Sequence, residues 1–158
     1  MAGLYFDEFS KGQTFNHEIR RTMLDSDNTL FSALTYNPAA IHIDHEYSKG
    51  TDFGKPLMNS VLTLGVLIGV SVQDTTLGTT IGNLGFGEIS YPAPVFSGDT
   101  LRAESTVTSL RESKSKPDRG IVIFEHRAYN QNNQLVCSCI RKALMMKKPA
   151  WGLYDLPF

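Results

Sequence analysis

The sequence predicts an α+β fold in which an antiparallel sheet wraps one long, buried helix. The helix is signalled by an uncharged run, residues 56–73, with apolar side chains on every side: Met58, Val61, Leu62, Leu64, Leu67, Ile68 and Val70. Its length favours helix over strand, and a helix apolar all round has to be covered all round. The sheet is signalled by segments after Asp74 that alternate in polarity and are separated by turn residues. A sheet must wrap the helix to bury it. One sheet covers it poorly and keeps unpaired edges, so association of two copies is expected.

The elements follow in order. Residues 14–22 read as a first strand. Asp25, Ser26, Asp27 and Asn28 are residue types that start helices, and acids there suit the helix dipole. That helix runs through Leu30, Phe31 and Leu34 and ends near Tyr36, because Pro38 pushes Asn37 out of the α region. Residues 37–54 read as an irregular stretch rich in polar groups. In the apolar helix, Gly65 and Gly69 share one face and would let a strand or another helix approach closely. Residues 78–91 read as a strand with glycines at bends or bulges. Ser97-Gly98-Asp99 is a turn, and residues 100–110 alternate cleanly. Residues 111–120 read as a loop. Residues 121–130 and 134–146 are two further strands joined by Gln131, Asn132 and Asn133. The tail, 147–158, carries Trp151, Tyr154 and Phe158 and is expected to fold back onto the body.

Composition narrows the function. The chain has 158 residues, 41% of them hydrophobic, which suits a single domain over 1–158 with a real core. The net charge of -1, with acids and bases interspersed, argues against nucleic acid or an anionic membrane as partner. Cys137 and Cys139 sit two apart on one strand face, a poor geometry for a bridge, and read as small core or interface residues. No spacing suits a metal. Acid near the N-terminus argues against a signal peptide, and the uncharged run is short and polar for a bilayer span, so a cytoplasmic protein is expected.

Chemistry concentrates in Leu34-Thr35-Tyr36-Asn37-Pro38-Ala39-Ala40-Ile41-His42-Ile43-Asp44. This segment resembles the hydratase signature of the MaoC-like family, G-D-x-N-P-x-H-x-D. His42 falls on the motif histidine, Asp44 on the following acid, and Asn37 on the catalytic aspartate. Ala39 and Ala40 replace the motif's Asn-Pro, and Tyr36 replaces its Gly. Residues 52–60 resemble the family's lead into its central helix, and residues 91–101 its P-V-x-x-G-D-T-L strand start. The resemblance covers most of residues 5–147. It implies a hot-dog fold, a homodimer or higher homo-oligomer, and reversible hydration of an enoyl-CoA thioester without a cofactor. Asn at the aspartate position is similar to the branch that includes hydratases of short branched dicarboxylic acyl-CoAs such as mesaconyl-CoA.

Each role has a physical reason. A histidine titrates near neutrality, so His42 is the expected general acid and base. An amide cannot take a proton, so Asn37 is expected to orient the water. The enolate needs N–H donors, and the start of the buried helix, at Ser60 and Val61, offers them. Asp44 is expected to support His42. Lys114, Lys116 and Arg119, with Arg111, form a basic loop suited to CoA phosphates. A carboxylate on the acyl group would want a cation such as Lys55, Arg20 or Arg21. Tyr47, Asn83 and Phe86 suit an acyl tunnel or the core. Two other functions share the fold: a thioesterase, which needs an acid to aim water at the carbonyl, and a non-catalytic acyl-CoA or acyl-carrier-binding subunit.

Overall fold

The structure, a computed structural model, describes residues 3–149. A short 3-10 helix, Phe6–Glu8, leads into β1 (Thr14–Asn16) and β2 (Arg21–Thr22). Helices α1 (Asp25–Leu34), α2 (Ala40–Ile43) and α3 (His45–Lys49) precede the long α4 (Ser60–Thr75). Strands β3 (Thr80–Ser90), β4 (Thr100–Glu112), β5 (Arg119–Tyr129) and β6 (Leu135–Met146) complete it. All pairings are antiparallel, in the order β1-β4-β5-β6-β3, with β2 also on β4.

Helix α4 lies across the sheet. Leu67 and Val70 pack with Leu101, Ala103, Ala128, Cys137 and Cys139, and Met23, Met58 and Val95 close one end. A second cluster, Phe6, Phe9, Val107, Val122, Phe124 and Met145, closes the other. There Gly120 is required by contact, since a Cβ would sit 2.3 Å from the Phe6 ring. Between the clusters runs a polar row. Asp74 accepts from His17 Nδ1 at 2.8 Å, His17 Nε2 meets Ser105 Oγ at 2.8 Å, and Ser105 Oγ meets His126 Nδ1 at 2.6 Å. Both cysteines are free and buried, and burial raises their thiols to about 12 for Cys137 and about 11 for Cys139.

Several expectations need correction. The strand over 14–22 is two short pieces, because the chain bulges at 17–20 while β4 runs straight past. The irregular stretch contains α2 and α3, helices too short for periodicity to reveal. As expected of one sheet alone, helix α4 is not covered all round within the single chain. Val61 is 57% exposed and Gly65 and Gly69 lie open with nothing within 4 Å of a Cβ at either, since the sheet meets only the opposite face. Strand β3 is interrupted where expected, with register shifts at Gly82, Gly85 and Gly87. The aromatic tail residues Trp151, Tyr154 and Phe158 lie outside the described residues.

Candidate active site

Pro38 breaks the chain after α1 and turns it across the start of α4. Asn37 shapes the bend: its Oδ1 accepts from the Ala39 amide at 3.0 Å, and the Ala39 carbonyl accepts from the His42 amide at 3.0 Å. The side-chain Oδ1 of Asn37 is thus engaged, and its side-chain NH2 remains as a donor. His42 is half-buried, and its Nδ1 lies 2.8 Å from the Leu57 carbonyl. A carbonyl only accepts, so Nδ1 carries the proton and Nε2 of the neutral ring is left bare to act as a base.

Leu57 joins the histidine to a cavity. Its side chain borders an apolar space of about 220 Å³ with Phe53, Ser60, Tyr91, Val95 and Val136. The cavity therefore opens at the first residue of α4. Burial pushes the Tyr91 phenol above its ordinary value, the Cys137 thiol adds to the shift, and the Ser60 hydroxyl opposes it. Tyr91 is thus a neutral hydroxyl at working pH.

Asn28 ties these parts together. Its Nδ2 donates to the His42 carbonyl at 2.6 Å and to the Leu57 carbonyl at 3.0 Å, and its Oδ1 accepts from the Asn59 amide at 2.9 Å. The residue is 1% exposed. In the sequence Asn28 carried only a helix-start reading. Its real work needs a position on the inner face of α1, one turn in, where the side chain meets both loops.

A model of the MaoC like domain matches residues 8–127. The chain belongs to the MaoC-like family. This MaoC-like chain is 31% identical over 147 residues to the mesaconyl-CoA hydratase of Cereibacter sphaeroides, covering 93% of this chain and 42% of that protein. It is 29% identical over 114 residues to the (R)-specific enoyl-CoA hydratase of Rhodospirillum rubrum, covering 70% and 74% of the two. A solved Mycobacterium tuberculosis protein described as a double hotdog fold superposes with a TM-score of 0.83 at 25% identity, covering 95% of this chain and 46% of that one. The chain thus spans less than half the length of the mesaconyl-CoA hydratase it matches. Its fold is the hot-dog fold, an antiparallel sheet around a central helix.

Not every expected site residue of the MaoC-like chain comes to the cavity. Ser60 does, and its amide meets no acceptor among the described residues. The Val61 amide does not serve as expected: it donates to Asn59 Oδ1 at 3.0 Å, because Asn59 caps α4. Asp44 is likewise a cap, accepting from the Tyr47 amide at 2.9 Å at the start of α3, while the Leu57 carbonyl takes the His42 contact expected of it. The basic loop is at the other end of the sheet. Lys114, Lys116 and Arg119 adjoin the end of β6 at Met146, whereas the cavity touches Val136 near its start, about 33 Å away along an extended strand. Arg119 is also paired with Asp118 at 2.8 Å. Lys55 lies over the Phe96 ring at 4.3 Å, and Phe96 packs edge-on against Phe53, which lines the cavity. Arg20 and Arg21 lie against the outer face of α4 at Gly69.

Proposed function

We propose that this chain adds water reversibly to the C=C of an enoyl-CoA thioester. The observation that supports the reading is the Leu57 link: Leu57 lines an apolar cavity at a helix start and its carbonyl holds His42 Nδ1, leaving Nε2 bare, while His42 and Asn37 themselves stand behind the cavity lining. In this reading the Asn37 amide and His42 Nε2 hold a water. His42 takes one of its protons as the oxygen bonds to Cβ. The electron pair of the C=C moves to the thioester oxygen, which the Ser60 N–H and the helix dipole stabilise. His42 Nε2–H then returns the proton to Cα, so the elements of water are added and the ring is regenerated. These steps call on no cofactor.

A cavity of about 220 Å³, roughly seven water volumes, suits a short acyl group. The names of the relatives, mesaconyl-CoA hydratase among them, support a short branched or dicarboxylic thioester. Lys55 is placed to meet the CoA at the mouth. The working form is a homodimer, since β3 leaves Ile81, Leu84, Phe86 and Ile89 exposed along a free sheet edge, beside the open stripe of α4.

The test is loss of enoyl-thioester absorbance with crotonyl-CoA, a medium-chain trans-2-enoyl-CoA and mesaconyl-CoA. His42→Ala is expected to reduce turnover by roughly 10²–10⁴-fold with substrate binding retained. Asn37→Asp, which supplies a second proton acceptor, is expected to keep activity. Full turnover by His42→Ala would sink the mechanism. Release of free thiol would point to a thioesterase, and binding without turnover to an acyl-CoA-binding subunit.

A further inference from the structure

Hydration puts charge on the thioester oxygen, and α4 brings a single free donor to it. The Ser60 amide meets no acceptor among the described residues, whereas the Val61 amide is taken by Asn59 Oδ1 at 3.0 Å. Oxyanion sites hold such charge with preorganised donors aimed at the oxygen, and a side-chain hydroxyl serves as well as an amide. The cavity wall offers a second donor. Among the residues that line it, only Ser60, Thr63 and Tyr91 have a polar side chain. Thr63 Oγ1 is spent on the Asn59 carbonyl at 3.3 Å. Tyr91 is therefore the one titratable side chain on the wall, and its hydrogen-bonding neighbour is Ser60, the residue with the free amide. That neighbour favours the phenolate, so the Ser60 hydroxyl donates to the phenol oxygen and leaves the phenol hydrogen unspent.

The chain fixes Tyr91 from both sides. It directly follows β3, whose last residue is tied to β6 by Ser90 Oγ and Ser138 Oγ at 2.8 Å. Pro92 comes next, and a residue before proline is confined to extended conformations. Further on, the Val95 carbonyl accepts from the Met58 amide at 2.9 Å, and Leu57 pairs with Phe96. The segment that carries the phenol is thus joined to the segment that starts α4, and the two donors share one frame. Tyr91 is also exposed in part, so a substrate can reach it.

We propose that Tyr91 is a catalytic residue whose hydroxyl is the second oxyanion donor, bonding the thioester oxygen together with the Ser60 N–H as the electron pair of the C=C moves onto it. This rests on the hydratase reading and adds a residue to it. The phenol keeps its proton. His42 remains the group that takes a proton from water and returns one to Cα. No charged side chain lines the cavity, so neither a carboxylate nor a cation competes for the hydroxyl. In such an apolar space a neutral donor acts more strongly than it would in water.

The experiment uses Tyr91→Phe, which removes the hydroxyl and keeps the ring. With the enoyl-CoA that the wild type turns over best, kcat is expected to fall by roughly 10²–10³-fold with KM nearly unchanged, the pattern of a contact made in the transition state. A second measurement separates this from a structural role. Crotonyl-CoA with an isotope-labelled thioester carbonyl is bound to His42→Ala, and the carbonyl stretch is read by infrared difference spectroscopy. Two hydrogen bonds to the oxygen should lower that stretch on binding, and adding Tyr91→Phe should reverse part of the shift. Full turnover by Tyr91→Phe would overturn the proposal, as would a loss of kcat with the bound carbonyl stretch unmoved. If Tyr91→Phe does not fold, a carbonyl stretch in His42→Ala equal to that of free crotonyl-CoA overturns it alone. If no substrate turns over, the hydratase reading fails, and the stretch, which needs only binding, still decides whether Tyr91 bonds the thioester oxygen.

Discussion

Asn28 spends its whole side-chain amide on the site, giving two hydrogens to the His42 and Leu57 carbonyls and taking one from the Asn59 amide. Leaving a buried polar group unpaired costs about 1–3 kcal/mol. Asn28→Ala is therefore expected to lower unfolding free energy by at least about 2 kcal/mol and to reduce turnover, measured by urea unfolding alongside the absorbance assay. Asn28→Asp keeps the acceptor for Asn59 but sets a carboxylate against two carbonyl oxygens, so it should be the worse variant. A wild-type urea midpoint in Asn28→Asp would refute this account. His42 shows the same division between type and placement. Its place in the Asn37–Asp44 segment was legible as a motif. That Leu57, not Asp44, holds its Nδ1 was not, because the acceptor is a backbone carbonyl fifteen residues on, and any residue type supplies one.

At the scale of elements, α4 and β3 present one problem. A single sheet covers one face of a helix, and the residues left outside are Val61, Gly65 and Gly69 on α4 and Ile81, Leu84 and Phe86 on β3. An exposed apolar edge strand pairs readily with another copy. Leu84 is 52% exposed in the single chain. If the proposed homodimer forms through this edge, Leu84→Arg is expected to sediment as a monomer in analytical ultracentrifugation, with the secondary structure by circular dichroism unchanged. An unaltered sedimentation coefficient would place the interface elsewhere. The open glycines on α4 suit close approach by the second helix, as their spacing suggested, although no element of this chain fills the space.

For the whole molecule, the buried polar row makes stability depend on pH. His126 is held neutral to about pH 3, first by burial and then by the charges of Arg141 and His17. The unfolded chain takes up a proton there from pH 6.5 downward, while the folded chain refuses it. Stability is thus intact above about pH 6.5 and is lost as pH falls toward 3, by up to about 1.4 kcal/mol per pH unit from this one group. Urea unfolding between pH 4 and 7 should show that slope, and His126→Gln should flatten it. An equal slope in the variant would assign the effect to other groups.

The long elements, their order and the family were readable from the chain itself, whereas the short helices α2 and α3 and the break between β1 and β2 were not. Periodicity sets which residues face inward, and the motifs around His42, Lys55-Pro56 and Gly98-Asp99 are local strings. Strand β3, with its glycine interruptions, and the hairpin at Asn132 were equally local, because bulges and tight turns are determined by the residues that form them. Only the tertiary structure decided which amide of α4 is free, which carbonyl orients His42, that the basic loop and the cavity lie at opposite ends of the sheet, and that Arg141 is buried with its Nε and Nη1 unpartnered among the described residues. Each of these depends on two segments far apart in sequence arriving at one place, and neither composition nor periodicity encodes that meeting.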